Sequence, residues 1–151
     1  DFYTGYRQNV LRRDELLAWV KVPRPTRHET LRAYKVSKRF DDDISAVCLA
    51  LNLQVENGVV RAARLGAGGV AATPARAYQT EAALLGQPWN EATSQAAAAT
   101  LQAEFQPISD MRASSAYRVE VLGNLLQRYW LESQGLTAIN LENYVPEGEA
   151  A

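Results

Sequence analysis

The chain has 151 residues, the size of one domain, and its 47% apolar and 22% charged residues exclude a disordered protein. A formal net charge of −1 argues against a general nucleic-acid binder, and no apolar run is long enough to cross a membrane. A single cysteine and a single histidine exclude an internal disulfide and a Cys/His zinc site. With no signal-peptide pattern and no initiator Met, the sequence predicts a piece of a longer cytoplasmic chain.

The first half of the chain has the patterns of β-strands. Residues 16–22 form a short apolar run that Pro23 and Pro25 end, and residues 31–37 alternate weakly. Residues 45–56 form the clearest strand, because a large apolar side chain stands at every second position. Asn57 and Gly58 predict a tight hairpin turn, since both tolerate a positive φ, and residues 59–65 return as the next strand.

The second half has the patterns of helices. Thr73 as N-cap and Pro74 at the first helical position predict a helix that continues over 76–85 and ends at Gly86. The alanine-rich stretch 90–105 predicts a second helix. A third is predicted over 114–133, with an apolar stripe formed by Val121, Leu122, Leu125, Leu126, Tyr129 and Trp130.

Strands followed by helices predict an α+β fold: a small antiparallel sheet of 3–4 strands and a layer of three helices. We expect one domain over residues 1–134. The acidic segment 135–151 is predicted to be an extended or disordered tail.

The spacing of the potentially catalytic residues predicts no catalytic site. His28 is expected in a loop, where a solvated histidine is commoner than a general base. Cys48 at mid-strand predicts a buried, inert thiol rather than a nucleophile. The glycine-rich run 66–69 lacks the order of a dinucleotide fingerprint, so a tight turn is favoured over a phosphate site. Asp110 is expected in an interhelical turn and cap.

The charge run over residues 35–43 is the most unusual stretch. Residues 7–39 hold ten basic and three acidic residues, a local net charge of +7, and three aspartates follow at 41–43. One interpretation is a solvated loop whose charges pair with one another. The other is a ligand site at the end of a strand, which would favour an anionic partner.

Several segments spread over the chain together match the sequence pattern of a known protein family. These segments are Gly5–Arg7, Leu11 and Arg12 with Glu15, Tyr34–Arg39 with Asp42–Val47, Gly68 and Gly69 with Ala71–Pro74 and Arg76–Ala77, and Pro107 with Ser109–Ser114, Tyr117 and Arg118. Together they resemble the C-terminal domain of the FAD-binding module of molybdenum hydroxylases, over about residues 2–132. The resemblance is nearest to the flavin and iron–sulfur subunit of bacterial xanthine dehydrogenases and extends to the CO dehydrogenase flavoprotein C-terminal domain family. Arg13 and Val70 depart from the usual pattern, both in predicted turns.

The resemblance implies a small antiparallel sheet followed by three helices, as the residues themselves predict. It also implies a part of an NAD-dependent xanthine dehydrogenase, an oxidoreductase of purine catabolism. The chain would supply one wall of a FAD site and share the cofactor with an upstream FAD-binding half. Molybdopterin, the 2Fe–2S clusters and the molybdenum-binding subunit would lie elsewhere in the enzyme, and the isolated chain would be inactive.

The resemblance also implies the residues of the site. Leu17 matches a strand position that touches FAD, and Lys35 matches a lysine beside the isoalloxazine ring. Arg39 and Asp42 match a charged loop over the flavin that governs the approach of NAD. Tyr6 and Arg7 match a segment near the same opening, and the turn over 109–112 would border the nicotinamide dinucleotide. These cofactor-binding residues are Tyr6, Arg7, Leu17, Lys35, Arg39 and Asp42; no catalytic or metal residue is assigned.

Two alternatives stay open. A sister molybdenum hydroxylase acting on CO, an aldehyde or another N-heterocycle would have the same domain. A non-catalytic assembly module would bind no cofactor and would expose the apolar stripe of the third helix to another subunit. A cationic groove formed by Lys35, Lys38 and Arg39 would favour the flavin interpretation.

Overall fold

The computed structural model describes residues 2–39 and 42–136. Within them, the strands are β1 (Tyr3–Gly5), β2 (Gln8–Asn9), β3 (Glu29–Val36), β4 (Val47–Glu56), β5 (Val59–Gly68) and β6 (Ala75–Arg76). The helices α1 (Tyr78–Leu84), α2 (Glu91–Glu104) and α3 (Ser115–Ser133) follow. The predicted α+β class, with strands before helices, is confirmed. The tail prediction concerns mostly residues 137–151, which lie outside the described residues.

The main sheet is antiparallel, with the order β3-β4-β5-β6. The predicted turn between β4 and β5 is confirmed, because Asn57 and Gly58 have φ values of 52° and 74°. The predicted alternation also holds. Val47, Leu49, Leu51 and Leu53 are buried and Val55 packs against them on one face of β4.

The prediction of a strand over residues 16–22 is wrong. Every residue from 12 to 28 is exposed, and this segment belongs to neither sheet. A strand needs a partner, and an apolar run alone does not supply one. The fourth strand of the sheet is instead β6, in which Ala75 pairs with Ala67 and Arg76 with Gly66.

The predicted start of the first helix is also wrong. Ala75 and Arg76 are drawn into the sheet, so the capping pattern of Thr73 and Pro74 is overridden, and α1 begins at Tyr78. Its N-cap residue, Ala77, has no capping side chain. The end of the helix follows the prediction, since Gly86 has a φ of 78° just beyond it.

The other two helices lie where the sequence predicts them. Asn90 and Ser114 are their N-caps, and each side chain accepts a hydrogen bond from the backbone N–H three residues later. Helices α1 and α3 pack on the sheet, and α2 packs on α1 and α3. Four members of the predicted α3 stripe are buried in this core: Leu122, Leu125, Leu126 and Tyr129. Each buried leucine contributes about 1.5–3 kcal/mol.

A small hairpin of β1 and β2 was not predicted. Its strands have three and two residues, too short for an alternating pattern to show. Arg7 at its tip has a φ of 56°. Within the described residues no helix packs on the opposite face of the main sheet, so the core lies on one side of the sheet and the other side is open.

Candidate functional site

Four connections meet at one end of the main sheet. They are the charged loop between β3 and β4, the loop between β5 and β6, the connection between α2 and α3, and the β1–β2 hairpin. A hollow of about 290 Å³ joins three of them, lined by Tyr6, Gln106, Ile108 and residues 69–72. Five of the six site residues predicted from the sequence lie on these loops or beside them.

A buried guanidinium holds this end of the molecule together. The side chain of Arg118 is 2% exposed and donates to the carbonyl oxygens of Ala46 (2.5 Å) and Gly69 (2.8 Å). It also donates to the Asp110 carboxylate at 2.5 Å. One side chain therefore fixes the start of β4, the end of β5 and the α2–α3 connection. A side chain at Gly69 would overlap the Ala46 carbonyl oxygen, which explains a glycine there.

The carboxylate of Asp110 organises the turn predicted at this position. It accepts hydrogen bonds from the backbone N–H groups of Arg112 (2.8 Å) and Ala113 (3.2 Å) and pairs with the Arg112 guanidinium at 2.9 Å. These backbone hydrogen bonds, together with Arg118, hold the pKa of Asp110 below its usual value. The interhelical turn is confirmed, but the cap of α3 is Ser114.

The charged loop is tied to this turn by Lys38. Its Nζ atom donates to the Met111 carbonyl oxygen at 2.6 Å. Lys38 and Arg112 also line a hollow of about 390 Å³ together with Val36 and Tyr117. The position of the charged loop therefore depends on the turn that Asp110 and Arg118 build.

Within the charged loop, Arg39 pairs with Asp43. The Asp43 carboxylate accepts from the backbone N–H groups of Arg39 (3.0 Å) and Ile44 (2.9 Å) and lies 3.4 Å from the Arg39 guanidinium. The backbone hydrogen bond from Arg39 is the main reason that the pKa of Asp43 is lowered. Asp42 is exposed, with a φ of 48°. Among the described residues, the acid that pairs with Arg39 is thus Asp43.

Lys35 projects from the open face of the sheet. It stands opposite Cys48 in the register of β3 and β4, and Cys48 stands opposite Gly68 in that of β4 and β5. Among the described residues Lys35 forms no ion pair. A hollow of about 660 Å³ lies over the neighbouring strands, lined by Cys48, Gly66, Ala67, Gly68, Pro74, Ala75, Arg76 and Tyr78.

The floor of this hollow is flat, because its side chains are small. A Cβ atom added at Gly66 would meet no atom within 4 Å, so the space above the floor is open. Cys48 is half-buried on this floor, which corrects the prediction of a buried thiol. The run 66–68 continues β5 and is not the predicted tight turn; only Gly69 turns, with a φ of 79°.

The far rim of the hollow carries residues that the sequence analysis missed. The Arg76 guanidinium lies 5.0 Å from the centre of the Tyr78 ring and 2.5 Å from the Glu81 carboxylate. Burial opposes the ionised form of Glu81, but hydrogen bonds from Arg76 and from the backbone of Leu65 lower its pKa. No local pattern in the sequence signals this arrangement, since it depends on the pairing of β6.

The remaining predicted residues lie on the two N-terminal segments. Tyr6 and Arg7 form the tip of the β1–β2 hairpin, and Arg7 lines a further hollow of about 310 Å³ with residues 72–74. Leu17 is 56% exposed and lies on the extended segment, so its predicted strand is wrong.

Two observations bear on the alternatives. The α3 stripe expected to be exposed in an assembly module is mostly inside this domain's own core. The three cations expected to share one groove have different neighbours: Lys38 bonds to Met111, Arg39 to Asp43, and Lys35 stands on the open face.

In residues 2–39 and 42–136, no group of three or more His, Cys, Asp or Glu side chains could hold a metal ion. No helix in the same residues is long and apolar enough to cross a membrane.

Comparison with known proteins identifies relatives of this domain. The family model described as the CO dehydrogenase flavoprotein C-terminal domain matches residues 32–133. A nicotinate hydroxylase of Emericella nidulans is 34% identical over 86% of the chain, which covers 10% of that protein. A putative xanthine dehydrogenase FAD-binding subunit of Escherichia coli is 29% identical over 84% of the chain, which spans 44% of that subunit.

Solved structures agree with these matches. The CO dehydrogenase of Hydrogenophaga pseudoflava has a chain that superposes with a TM-score of 0.78 at 27% identity. The match covers 84% of this chain and 44% of that one. The chain therefore spans less than half the length of these relatives.

Proposed function

Because this chain belongs to the CO dehydrogenase flavoprotein C-terminal domain family, we propose that it forms one wall of the FAD site in a xanthine dehydrogenase-like molybdenum hydroxylase. The other wall would come from an upstream FAD-binding half. Two 2Fe–2S clusters and a molybdopterin centre elsewhere in the enzyme would supply the electrons. The observation that carries the proposal is the open sheet face, where a flat floor of small residues lies beside Lys35.

The residues of this face suit a flavin. A planar ring needs a flat apolar surface, and Cys48, Gly66 and Gly68 offer one without branched side chains. An ammonium group at the edge of that surface suits a cofactor that gains negative charge. When bound, FAD supplies two-electron chemistry, and its reduced ring holds negative charge near N1 and O2.

The charged side chains would act on this site in opposite directions. The Lys35 ammonium would stabilise negative charge beside it, whereas the exposed Asp42 carboxylate would oppose that charge and favour transfer of electrons to NAD. Arg39, held by Asp43, would act on the same opening. Tyr6 and Arg7 would border it, and Leu17 would reach it once its segment is docked.

The substrate is a separate matter. Relatives of similar identity include a nicotinate hydroxylase and xanthine dehydrogenases, and substrate choice belongs to the molybdenum centre, outside this chain. We favour xanthine for the resemblance of the charge run over 35–43 to the xanthine dehydrogenase branch. A cytoplasmic location remains a prediction.

The role of Lys35 can be tested in the complete flavoprotein. In Lys35→Met, we expect the two-electron flavin potential to become more negative by about 30 mV or more, since about 1.4 kcal/mol corresponds to that shift. Lys35→Arg should restore most of it, and Arg61→Met, on an exposed position of β5, should leave it unchanged. Spectroelectrochemical titration measures all four proteins. An unchanged potential and unchanged FAD content in Lys35→Met would contradict the proposal.

The role of Asp42 can be tested by the choice of electron acceptor. Asp42→Ala in the complete enzyme should lower the ratio of NAD reduction to oxygen reduction by about tenfold, a change of about 1.4 kcal/mol. Asp14→Ala is the matched control, because Asp14 is 82% exposed on the segment before residue 16. Steady-state rates with each acceptor give the ratio. An equal ratio in Asp42→Ala and the unmodified enzyme would show that this carboxylate has no such role.

A further inference from the structure

The segment over residues 16–22 is an apolar stretch that the described part of the fold leaves uncovered. Its five large apolar side chains are 56–77% exposed: Leu16, Leu17, Trp19, Val20 and Val22. They are consecutive apart from Ala18 and Lys21, and the surrounding residues 12–28 are also exposed. Water-exposed apolar stretches of this kind mark interaction sites or aggregation sites.

The segment is delimited like a strand. Before it, a turn is closed by the Glu15 backbone N–H, which donates to the Arg12 carbonyl at 3.1 Å, and by an Arg12–Glu15 ion pair at 2.8 Å. After it, Pro23 and Pro25 prevent the ladder from continuing. Seven residues between these limits would extend about 23 Å, a common strand length.

The two faces of such a strand would differ. Leu16, Ala18, Val20 and Val22 would lie on one face, which has no polar side chain. Leu17, Trp19 and Lys21 would lie on the other, which ends in an ammonium and an indole N–H. The first face is suited to a core without water, and the second is suited to a boundary that water can reach.

The outer edge of β3 pairs with no other strand of the described residues, but it is a poor partner for this segment. Arg32 on that strand is half-exposed and pairs with Glu132 at 3.3 Å, and Arg128 reaches the same carboxylate at 2.8 Å. An added strand would cover these charges, and charged side chains at an edge are a known means of preventing such pairing. The structure indeed leaves residues 16–22 apart from β3.

We propose that residues 16–22 add as a strand to the open edge of an antiparallel sheet in the FAD-binding half of the same flavoprotein. That part is outside this chain, which spans 44% of a related FAD-binding subunit. The face of Leu16, Ala18, Val20 and Val22 packs into the core beneath that sheet. The partner is identified by its chemistry: unpaired backbone N–H and C=O groups above an apolar layer. The inference rests on the proposed function for the identity of the partner.

Hydrogen–deuterium exchange on the complete flavoprotein tests the proposal directly. A strand at the edge of a sheet directs every second backbone N–H towards its partner. We therefore expect alternate amides within residues 17–22 to exchange at least about 100-fold more slowly than their unstructured rate, while those of Arg24 and Arg27 exchange freely. Exchange of 17–22 at the unstructured rate would overturn it. Protection that appears only at high protein concentration would overturn it too, because it would indicate pairing between copies.

Two matched substitutions test the face. Ala18→Asp should abolish protection of the segment, because it places a charge in the dry face, whereas Lys21→Asp should preserve it. Equal loss in both variants, or protection retained in Ala18→Asp, would overturn the assignment. If Ala18→Asp yields no folded protein, the exchange pattern of the unmodified flavoprotein still decides the proposal. Flavin content is measured in the same samples. Protected amides in a protein that holds no flavin would reject the proposed function but would still support the docking of residues 16–22 as a strand.

Discussion

Arg118 is the residue on which the geometry of the candidate site depends most. It is buried, and its guanidinium joins two carbonyl oxygens and one carboxylate from three separate connections. Removing it would leave the Ala46 and Gly69 carbonyl groups and Asp110 without this partner. Asp110 would keep its pair with Arg112, but the two carbonyl oxygens would lose a charged donor inside the protein, and leaving buried acceptors without a hydrogen bond is costly.

Arg118→Met should therefore lower the free energy of unfolding by about 3–5 kcal/mol. Arg112→Met is the control, because Arg112 pairs with the same carboxylate but its side chain is 38% exposed, and we expect a loss below about 1 kcal/mol. Urea denaturation followed by circular dichroism measures both. Similar losses of unfolding free energy in the two variants would show that the hydrogen bonds of Arg118 contribute no more to stability than the exposed Arg112 pair.

Glu132 is a second residue with several partners, at the far end of α3. It accepts hydrogen bonds from Arg128 (2.8 Å), Tyr34 (3.0 Å) and Arg32 (3.3 Å). Burial alone would raise the pKa of its carboxyl, but these hydrogen bonds hold it below the ordinary value of 4.5. A lowered pKa in the folded state means that the ionised group stabilises the fold above pH 4.5, and that this stability is lost as the pH falls through the folded-state pKa.

Glu132→Gln should accordingly destabilise the protein more at pH 7 than at pH 3. Glu120→Gln is the control, since Glu120 is exposed on the same helix and should show little change at either pH. The quantity to compare is the difference in unfolding free energy from the unmodified chain at the two pH values. A difference for Glu132→Gln that does not shrink towards pH 3 would contradict the account.

At the scale of elements, the sequence predicts those helices and strands whose ends are determined by their own residues. The β4–β5 hairpin, α2 and α3 were predicted because a turn dipeptide, an alanine-rich stretch and capping residues lie within the elements themselves. Helix α1 was misplaced because its start depends on distant residues. Ala77 donates to the Leu65 carbonyl, and Glu104 of α2 caps the helix from outside, accepting from the N–H groups of Gln79 (2.9 Å) and Thr80 (3.0 Å).

Glu104→Ala should consequently destabilise the protein by about 1–2 kcal/mol, the usual value of a lost N-cap. Glu120→Ala, which removes an exposed carboxylate from α3, should change stability by less than about 0.5 kcal/mol. Thermal or urea unfolding gives the comparison. An equal effect in both variants would mean that α1 does not depend on this external cap.

The candidate site was predictable only in part, for similar reasons. Lys35 was assigned to the site by the resemblance of its segment to the family, and it stands on an open face of the sheet. Its floor of small residues requires the register of three strands, and Arg76 reaches the rim only because β6 joins the sheet. The Arg39–Asp43 pair has i,i+4 spacing, but three adjacent aspartates leave the partner undecided until the loop is folded.

At the scale of the whole molecule, the domain has one sheet face covered by helices and two apolar features that it leaves exposed. In the part of the chain that the structure describes, helices cover one face of the sheet, while the other face and the segment over residues 16–22 are open. The chain spans less than half of the flavoprotein chains it resembles, and both open features fit contacts with the remainder. The isolated chain should therefore fold around its helices but bind FAD weakly and show no activity.

The most direct test of the central claim is a visible absorption spectrum of the complete protein, purified through a tag on this domain. The account predicts flavin bands with a broad iron–sulfur shoulder, bleached by hypoxanthine and restored by NAD. Flavin and iron–sulfur bands that ignore hypoxanthine would keep the FAD wall and reject xanthine as the substrate class. A colourless protein would contradict the claim that this domain forms part of a flavin site.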